Sequence, residues 1–173
     1  MKLTAIALAA VCALALQAQN PLTTELKAGY NQIKGNVMKA ADDMPEGDYG
    51  FVPGPGSRTY GAAVVHIAQV QANLCGMAKG EAAPKIDEGK TSKTESIAAL
   101  KTAFEYCDPI YESMTDAEGV KMMKMFGRDR TKFGILDFGV IHDNEMYGTL
   151  AVYLRAKDKV PPSTAGRGMG KKQ

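Results

Sequence analysis

The sequence predicts an all-α four-helix bundle, and three observations carry that reading. Four long segments place apolar residues at spacings of three and four, the period of a half-buried helix. Segments rich in glycine, proline and charge separate them. No stretch alternates apolar and polar residues as a half-buried strand does. At 173 residues, with 45% hydrophobic and 23% charged, the chain suits one globular domain with a proper core. Its net charge of +2 gives no global basic field, so no nucleic-acid partner is expected.

The beginning reads differently from the rest. Met1 and Lys2 give a positive start, and LTAIALAAVCALAL then runs from Leu3 to Leu16 before LQAQN. That core is too short to span a bilayer comfortably, and small and polar residues follow it. This is the pattern of a cleaved secretory signal with Ala18 the last residue removed, and an uncleaved anchor is the competing reading. Val11 before Cys12 argues against a lipoprotein signal. The expected organisation is a signal peptide over 1–18, a bundle over 19–164 and a flexible tail over 165–173. Cleavage removes only Lys2 among the charges, so +2 becomes +1. The mature protein is expected in the periplasm or outside the cell, without stable membrane insertion.

The first helix is expected from about Leu22 to Met44, with Leu22, Leu26, Tyr30, Ile33, Val37 and Met38 on its apolar stripe. PEGDYG ends it. The second starts near Ser57, carries Tyr60, Val64, Ile67, Val70 and Leu74, and ends near Gly80. GEAAPKIDEGKTSKTE is then a polar crossover, too long for a tight hairpin. The third opens near Ser92 or Thr94 and takes in Ile97, Leu100, Phe104, Ile110 and Tyr111, with Pro109 expected to kink or punctuate it. A short helix over Asp116 to Met125 and a GRDRTK loop follow. The fourth runs from about Lys132 to Lys157 with Phe133, Leu136, Val140, Leu150, Tyr153 and Leu154 inward, and VPPST terminates it. The arrangement expected is up-and-down in style.

Cys75 and Cys107 remain after cleavage, and they are not spaced as a metal motif. An oxidising compartment allows a disulfide between them, while their apolar helical settings suit buried thiols equally well.

The chain has two histidines, His66 inside AAVVHIAQV and His142 near the middle of the fourth helix. One histidine on an apolar helix is more often a satisfied core residue than a ligand. Two on separate helices raise the case for a metal, because bundle cores build metal sites from facing helices.

The stretch HDNEMYGTLAVYLRAKDKVPPST resembles the C-terminal helix of the DinB-like superfamily, which includes bacillithiol transferase and YfiT-type proteins. There the helix usually reads H-x-x-x-H, a small run such as YGQL, VYLR and a proline-containing end. SRTYGAAVVHIAQV resembles the family's second helix, and the likeness covers nearly the whole mature chain. It implies a divalent metal, zinc or nickel for example, held by three histidines at one end of the bundle. His66 and His142 match the first two ligands, and the third position falls on Met146. A thioether suits copper(I) far better than zinc or nickel, so the three-nitrogen face cannot form.

Glu145 is a substitute to weigh, since it lies three residues after His142 and a His/His/Glu set is a familiar zinc arrangement. The preferred reading is that Glu145, beside Asp143 and Asn144, keeps that face wet, because the family's ligands use i,i+4. Asp137 and Asp143 are expected on the exposed face. Tyr147 and Arg155 match family positions and are read as structural. MMKMF, Met122 to Phe126, suggests a soft-metal or hydrophobic edge, against the commoner use of methionine as a core filler. Arg167, Lys171 and Lys172 are read as solvated tail charges.

Two functions stand. One is a secreted metal-dependent thiol transferase or hydrolase with a depleted site, acting on a small molecule that the sequence does not name. The other is a non-catalytic secreted bundle, with a binding or structural role, that kept the fold without the chemistry. The transferases' usual thiol cofactors are cytoplasmic, so a secretory signal weakens that specific activity. No catalytic residue or organic cofactor site stands out, and a homodimer is compatible with either function.

Overall fold

The computed structural model describes residues 20–165. The leader and nearly all of the tail therefore lie outside the described residues. Pro21 opens the first helix, α1 (Pro21–Asp43), where a missing N–H costs nothing. The orphan N–H groups behind it are met from far along the chain. The Asp116 carboxylate accepts from Leu22 N at 3.3 Å and from Thr23 N at 2.9 Å. Asn20 Oδ1 in turn accepts the Asp116 N–H at 2.8 Å. At the other end, the Tyr60 hydroxyl donates to Ala40 O at 2.6 Å, the Tyr49 hydroxyl to Ala41 O, and Lys93 Nζ to Asp42 O. Both termini of α1 are thus satisfied by other elements, which ties its position to theirs.

The second helix, α2 (Tyr60–Lys79), begins behind Thr59, whose hydroxyl accepts the Ala62 N–H at 3.1 Å, and stops at Gly80, whose φ of +74° suits glycine. It starts three residues later than Ser57, because residues 57–59 stay outside the helix and Thr59, in extended conformation, is its cap. The third helix, α3 (Lys93–Ser113), opens on a reciprocal capping box between Ser92 and Glu95 and continues through Pro109 to Ser113. Pro109 does not end the helix. The Ser113 hydroxyl caps the last turn from within, donating to Pro109 O at 2.8 Å.

A one-turn helix, α4 (Asp116–Gly119), leads into two strands, β1 (Met122–Met125) and β2 (Arg128–Thr131). They pair antiparallel, Met122 opposite Thr131 and Met125 opposite Arg128. This replaces the expected helix to Met125 and the GRDRTK loop. Phe126 (φ +49°) and Gly127 (φ +77°) form the left-handed two-residue turn that closes a hairpin. The strands are four residues long and mostly exposed, so no alternation announces them. Thr131 then caps the fourth long helix, α5 (Lys132–Ala156), by accepting the Gly134 N–H at 3.0 Å. One more turn, α6 (Pro162–Ala165), follows.

The fold is a mostly helical four-helix bundle with a long crossover between α2 and α3. In cross-section α1 packs on α3 and α5, and α2 also packs on α3 and α5. Consecutive helices α1 and α2 therefore stand diagonally, as do α3 and α5, which departs from an up-and-down ring. Residues 44–59 make the first diagonal passage, and the hairpin segment makes the second. The crossover joins true neighbours and lies tight against α2: a Cβ at Gly61 would meet Thr91 O at 2.0 Å. Cys75 and Cys107 form a disulfide linking α2 to α3, with Cα atoms 5.6 Å apart, so they are bridged rather than buried as free thiols.

The buried core includes Tyr30, Ile33, Ile67, Leu100, Leu136 and Leu154. Leu22, expected on the inward stripe of α1, is 54% exposed, because the helix begins beyond the end of the core. Met38, Phe133 and Val140 are only partly buried at its edge. Among the described residues no helix is long and apolar enough to cross a membrane.

Candidate functional site

His66 on α2 and His142 on α5 face each other where those helices pack. Their ring centroids lie 5.3 Å apart, with the planes at 67°. Two imidazoles on one tetrahedral ion, with metal–nitrogen bonds of about 2.0–2.1 Å, would have centroids about 5 Å apart. The pair therefore has the separation of two ligands of one ion.

The two rings are held differently. His142 Nδ1 lies 3.3 Å from Asp143 Oδ1. A neutral His142 that donates from Nδ1 to the carboxylate leaves its Nε2 lone pair free, which is how a carboxylate orients a metal-binding or proton-accepting imidazole. His66 has no hydrogen bond to a described residue. Desolvation first, then the charge of Arg58 and then His142, lower its pKa, which favours the neutral ring.

Asp143 is the largest departure from the sequence reading. Expected on a wet face with Asn144 and Glu145, it is instead fully buried. The signal is present in the chain: Leu136, Gly139, Asp143, Tyr147, Leu150 and Leu154 follow one another at spacings of three and four, so Asp143 sits in the middle of the inward stripe of α5. Burial pushes its carboxyl up to about 6, against the opposing pull of His142. Its Oδ2 is one of three buried side-chain atoms with no hydrogen-bond partner among the described residues, with Gln71 Oε1 and Ser96 Oγ. Asp137, six residues before, is half-buried.

Around this pair the interior of the bundle is polar in a way the sequence does not suggest. Tyr111 stacks on Tyr30 with centroids 3.7 Å apart, and its hydroxyl donates to Leu136 O at 2.9 Å. Gln71 Nε2 donates to that hydroxyl at 3.3 Å. Gly139 lies close opposite: a Cβ there would stand 2.8 Å from Gln71 Oε1, so the amide would have to shift. Tyr30 passes the row outward by donating to Asp108 at 2.8 Å, where Lys34 also binds.

A surface cleft of about 430 Å³ opens beside Met146, one helical turn beyond His142. Ser57, Arg58, Glu145, Thr149 and Tyr153 also line it. The Tyr153 hydroxyl donates to Arg58 O at 2.7 Å and so fixes the segment that carries Arg58. Arg58 makes no ion pair among the described residues. Glu145 is exposed on the cleft wall and Met146 is half-buried. Among the described residues no three His, Cys, Asp or Glu side chains gather as a metal site. The donor set thus fits a metal at two positions, with a thioether near the third. Tyr147 is buried and its hydroxyl accepts the Ser163 N–H at 2.8 Å, pinning the segment after α5. Arg155 caps its own helix, donating to Ala151 O at 3.4 Å.

The comparisons with known proteins agree with this architecture. The chain is similar to a DinB-like protein from Bacillus cereus at 16% identity and a TM-score of 0.70, covering 79% of this chain and 93% of that one. It is likewise similar to a DinB-like protein from Bacillus subtilis at 20% identity and a TM-score of 0.65, with the same coverage. At such identities the likeness speaks for the fold alone. No curated protein matches the sequence. The sequence model of the DinB superfamily, however, matches residues 30–150, which include both histidines, Asp143 and the whole of α2 and α3. The chain belongs to the DinB superfamily.

Proposed function

We propose that the chain is an exported DinB-like protein that holds a divalent metal ion weakly between His66 and His142, as a metal-dependent transferase or hydrolase with a depleted site. The observation that carries this is the facing pair of imidazoles, 5.3 Å apart, one of them oriented by a buried carboxylate. A core that needed only to pack would not bury Asp143 with an unpartnered oxygen at such a position. His66 and His142 would hold the ion, zinc or nickel. Such an ion lowers the pKa of a bound thiol or water and makes it nucleophilic near neutral pH.

The chain's own residues do the rest. Asp143 keeps the His142 ring in one tautomer. Arg58, with no acidic partner among the described residues, gives the cleft a cation for an anionic group on a small substrate. Tyr153 holds the backbone of Arg58 in place. Export is supported by the leader and by the Cys75–Cys107 bridge, which persists in oxidising compartments. The second reading, a secreted bundle without metal chemistry, is favoured by one observation: a methionine stands at the third ligand position.

Zinc titration by calorimetry separates the readings. The wild-type protein should bind weakly, and Met146→His should tighten binding at least tenfold by restoring an i,i+4 histidine pair. Glu145→Ala should change little. Tight wild-type binding that Glu145→Ala leaves untouched would refute a depleted site. No binding even by Met146→His would favour the non-catalytic bundle.

A further inference from the structure

The hairpin between α3 and α5 is unlike the rest of the surface. From Val120 to Lys132 it carries five basic residues, Lys121, Lys124, Arg128, Arg130 and Lys132, and one acid, Asp129. That is +4 in thirteen residues, against +2 for the whole chain, so the remainder is net acidic at −2. Three of the cations have acidic partners: Lys121 and Lys132 pair with Glu118, and Lys124 pairs with Asp129. Arg128 and Arg130 have none among the described residues.

Apolar exposure is concentrated in the same place. The three most exposed large apolar side chains of the described molecule are Phe126 at 71%, Val120 at 64% and Met122 at 60%. All three belong to this segment. Phe126 also sits at a turn position with φ +49°, where asparagine, aspartate or glycine is the natural choice. Neither backbone preference nor core packing asks for a phenylalanine there. Met123 and Met125, by contrast, turn inward, Met123 lying within van der Waals reach of the Gly80 position at the end of α2. The inner methionines thus fix the hairpin to the bundle while its tip and flanks project an aromatic ring among cations.

We infer that this hairpin docks the protein on an anionic phospholipid surface. Phe126 enters the interfacial layer, and Arg128 and Arg130 neutralise headgroup phosphates beside it, the combination by which peripheral proteins hold anionic membranes. A lipid surface fits better than a protein partner because one short turn offers a single exposed ring, Phe126, beside two unpaired cations, whereas the pocket it shares with Met125, Arg128 and Arg130 is only about 250 Å³. The geometry leaves the candidate site free. The hairpin packs at the Gly80 end of α2, whereas Ser57, Arg58 and the cleft lie at its opposite end, with 20 helical residues between. The docking therefore stands independently of any metal at the histidines.

The test is co-sedimentation of the mature chain, from Gln19 onward, with phosphatidylglycerol or phosphatidylcholine vesicles; the apolar leader is absent and cannot supply binding. Binding should occur on phosphatidylglycerol, weaken as salt rises, and be absent on phosphatidylcholine. Arg128→Gln with Arg130→Gln should weaken it by on the order of 25-fold, from about fivefold per cation. Phe126→Ser should weaken it about tenfold. Circular dichroism should remain that of wild type, since these side chains are exposed. No vesicle binding, equal binding to both lipids, or binding that both variants leave intact would overturn the proposal. Capture by polyglutamate without vesicle binding would overturn it in favour of an acidic polypeptide.

Discussion

The two halves of α2 are built to different ends. From Gln71 to Lys79 its polar and covalent links mostly close. Cys75 is bridged to α3, the Gln71 amide donates to Tyr111, and Lys79 donates to Tyr106 O at 2.8 Å while lying over that ring. From Tyr60 to Val70 the helix faces α5 with a histidine that bonds to no described residue, opposite a buried carboxylate with one oxygen unpartnered. The one open atom of the second half, Gln71 Oε1, stands at the border between them. Closed links fix α2 against α3, and the stability they add lets the same helix hold unpartnered groups a few turns away.

The largest expected effect lies in the closed half. The bridge spans a sequence separation of 32, so Cys75→Ala with Cys107→Ala should lower stability by about 3–4 kcal/mol through loop-closure entropy. Urea unfolding of the two proteins measures it. A loss below about 1 kcal/mol would remove the basis for calling that half the anchor.

The open half should respond in the opposite sense. Burial raises the Asp143 carboxyl from 3.8 to about 6, so between those values the folded state holds a proton that the unfolded state has lost. Stability from this group is fully present below about 4 and disappears as pH rises through 6. At pH 8 the ionised carboxylate is a net cost, and Asp143→Asn should relieve it. From pH 4 to pH 8 the stability gap between variant and wild type should widen in the variant's favour. The most that a carboxyl raised this far can contribute is about 3 kcal/mol. Asparagine keeps an acceptor for His142 Nδ1, so a loss of packing should not mask the gain. A gap that does not change with pH would mean that Asp143 is as well satisfied as the groups near the bridge.

This contrast also marks what the sequence makes legible. The four long helices, the crossover and the meeting of His66 with His142 follow from periodicity, caps and two matched motifs, because long amphipathic segments repeat their signal many times. The hairpin does not, since four-residue exposed strands repeat theirs hardly at all. Asp143 misleads because its residue type and its position disagree: its neighbours Asn144 and Glu145 are exposed, while its own place on the stripe of α5 points inward. The interior row of Gln71, Tyr111 and Tyr30 joins three helices, and no single helix's pattern can announce a contact among three. Nor can sequence tell which consecutive helices stand side by side and which stand diagonally.

The smallest expected effect sharpens the comparison at the mouth of the cleft. Arg58 is exposed and makes no ion pair among the described residues, so Arg58→Gln should leave stability within about 0.5 kcal/mol of wild type. Its charge nevertheless reaches His66, where it is the second cause, after desolvation, of that imidazole's lowered pKa. Removing it should raise the His66 pKa toward the ordinary histidine value, though not fully, because burial and His142 still oppose protonation. The sign for stability follows: a histidine with a depressed pKa resists the proton that the unfolded chain accepts, so the fold weakens as pH falls below about 6.5. The variant should weaken less over that range. Titrating the ring protons of His66 by NMR in both proteins measures the shift directly. An unchanged His66 titration would mean that water screens Arg58 from the pair, and the cleft and the histidines would then be separate features of the surface.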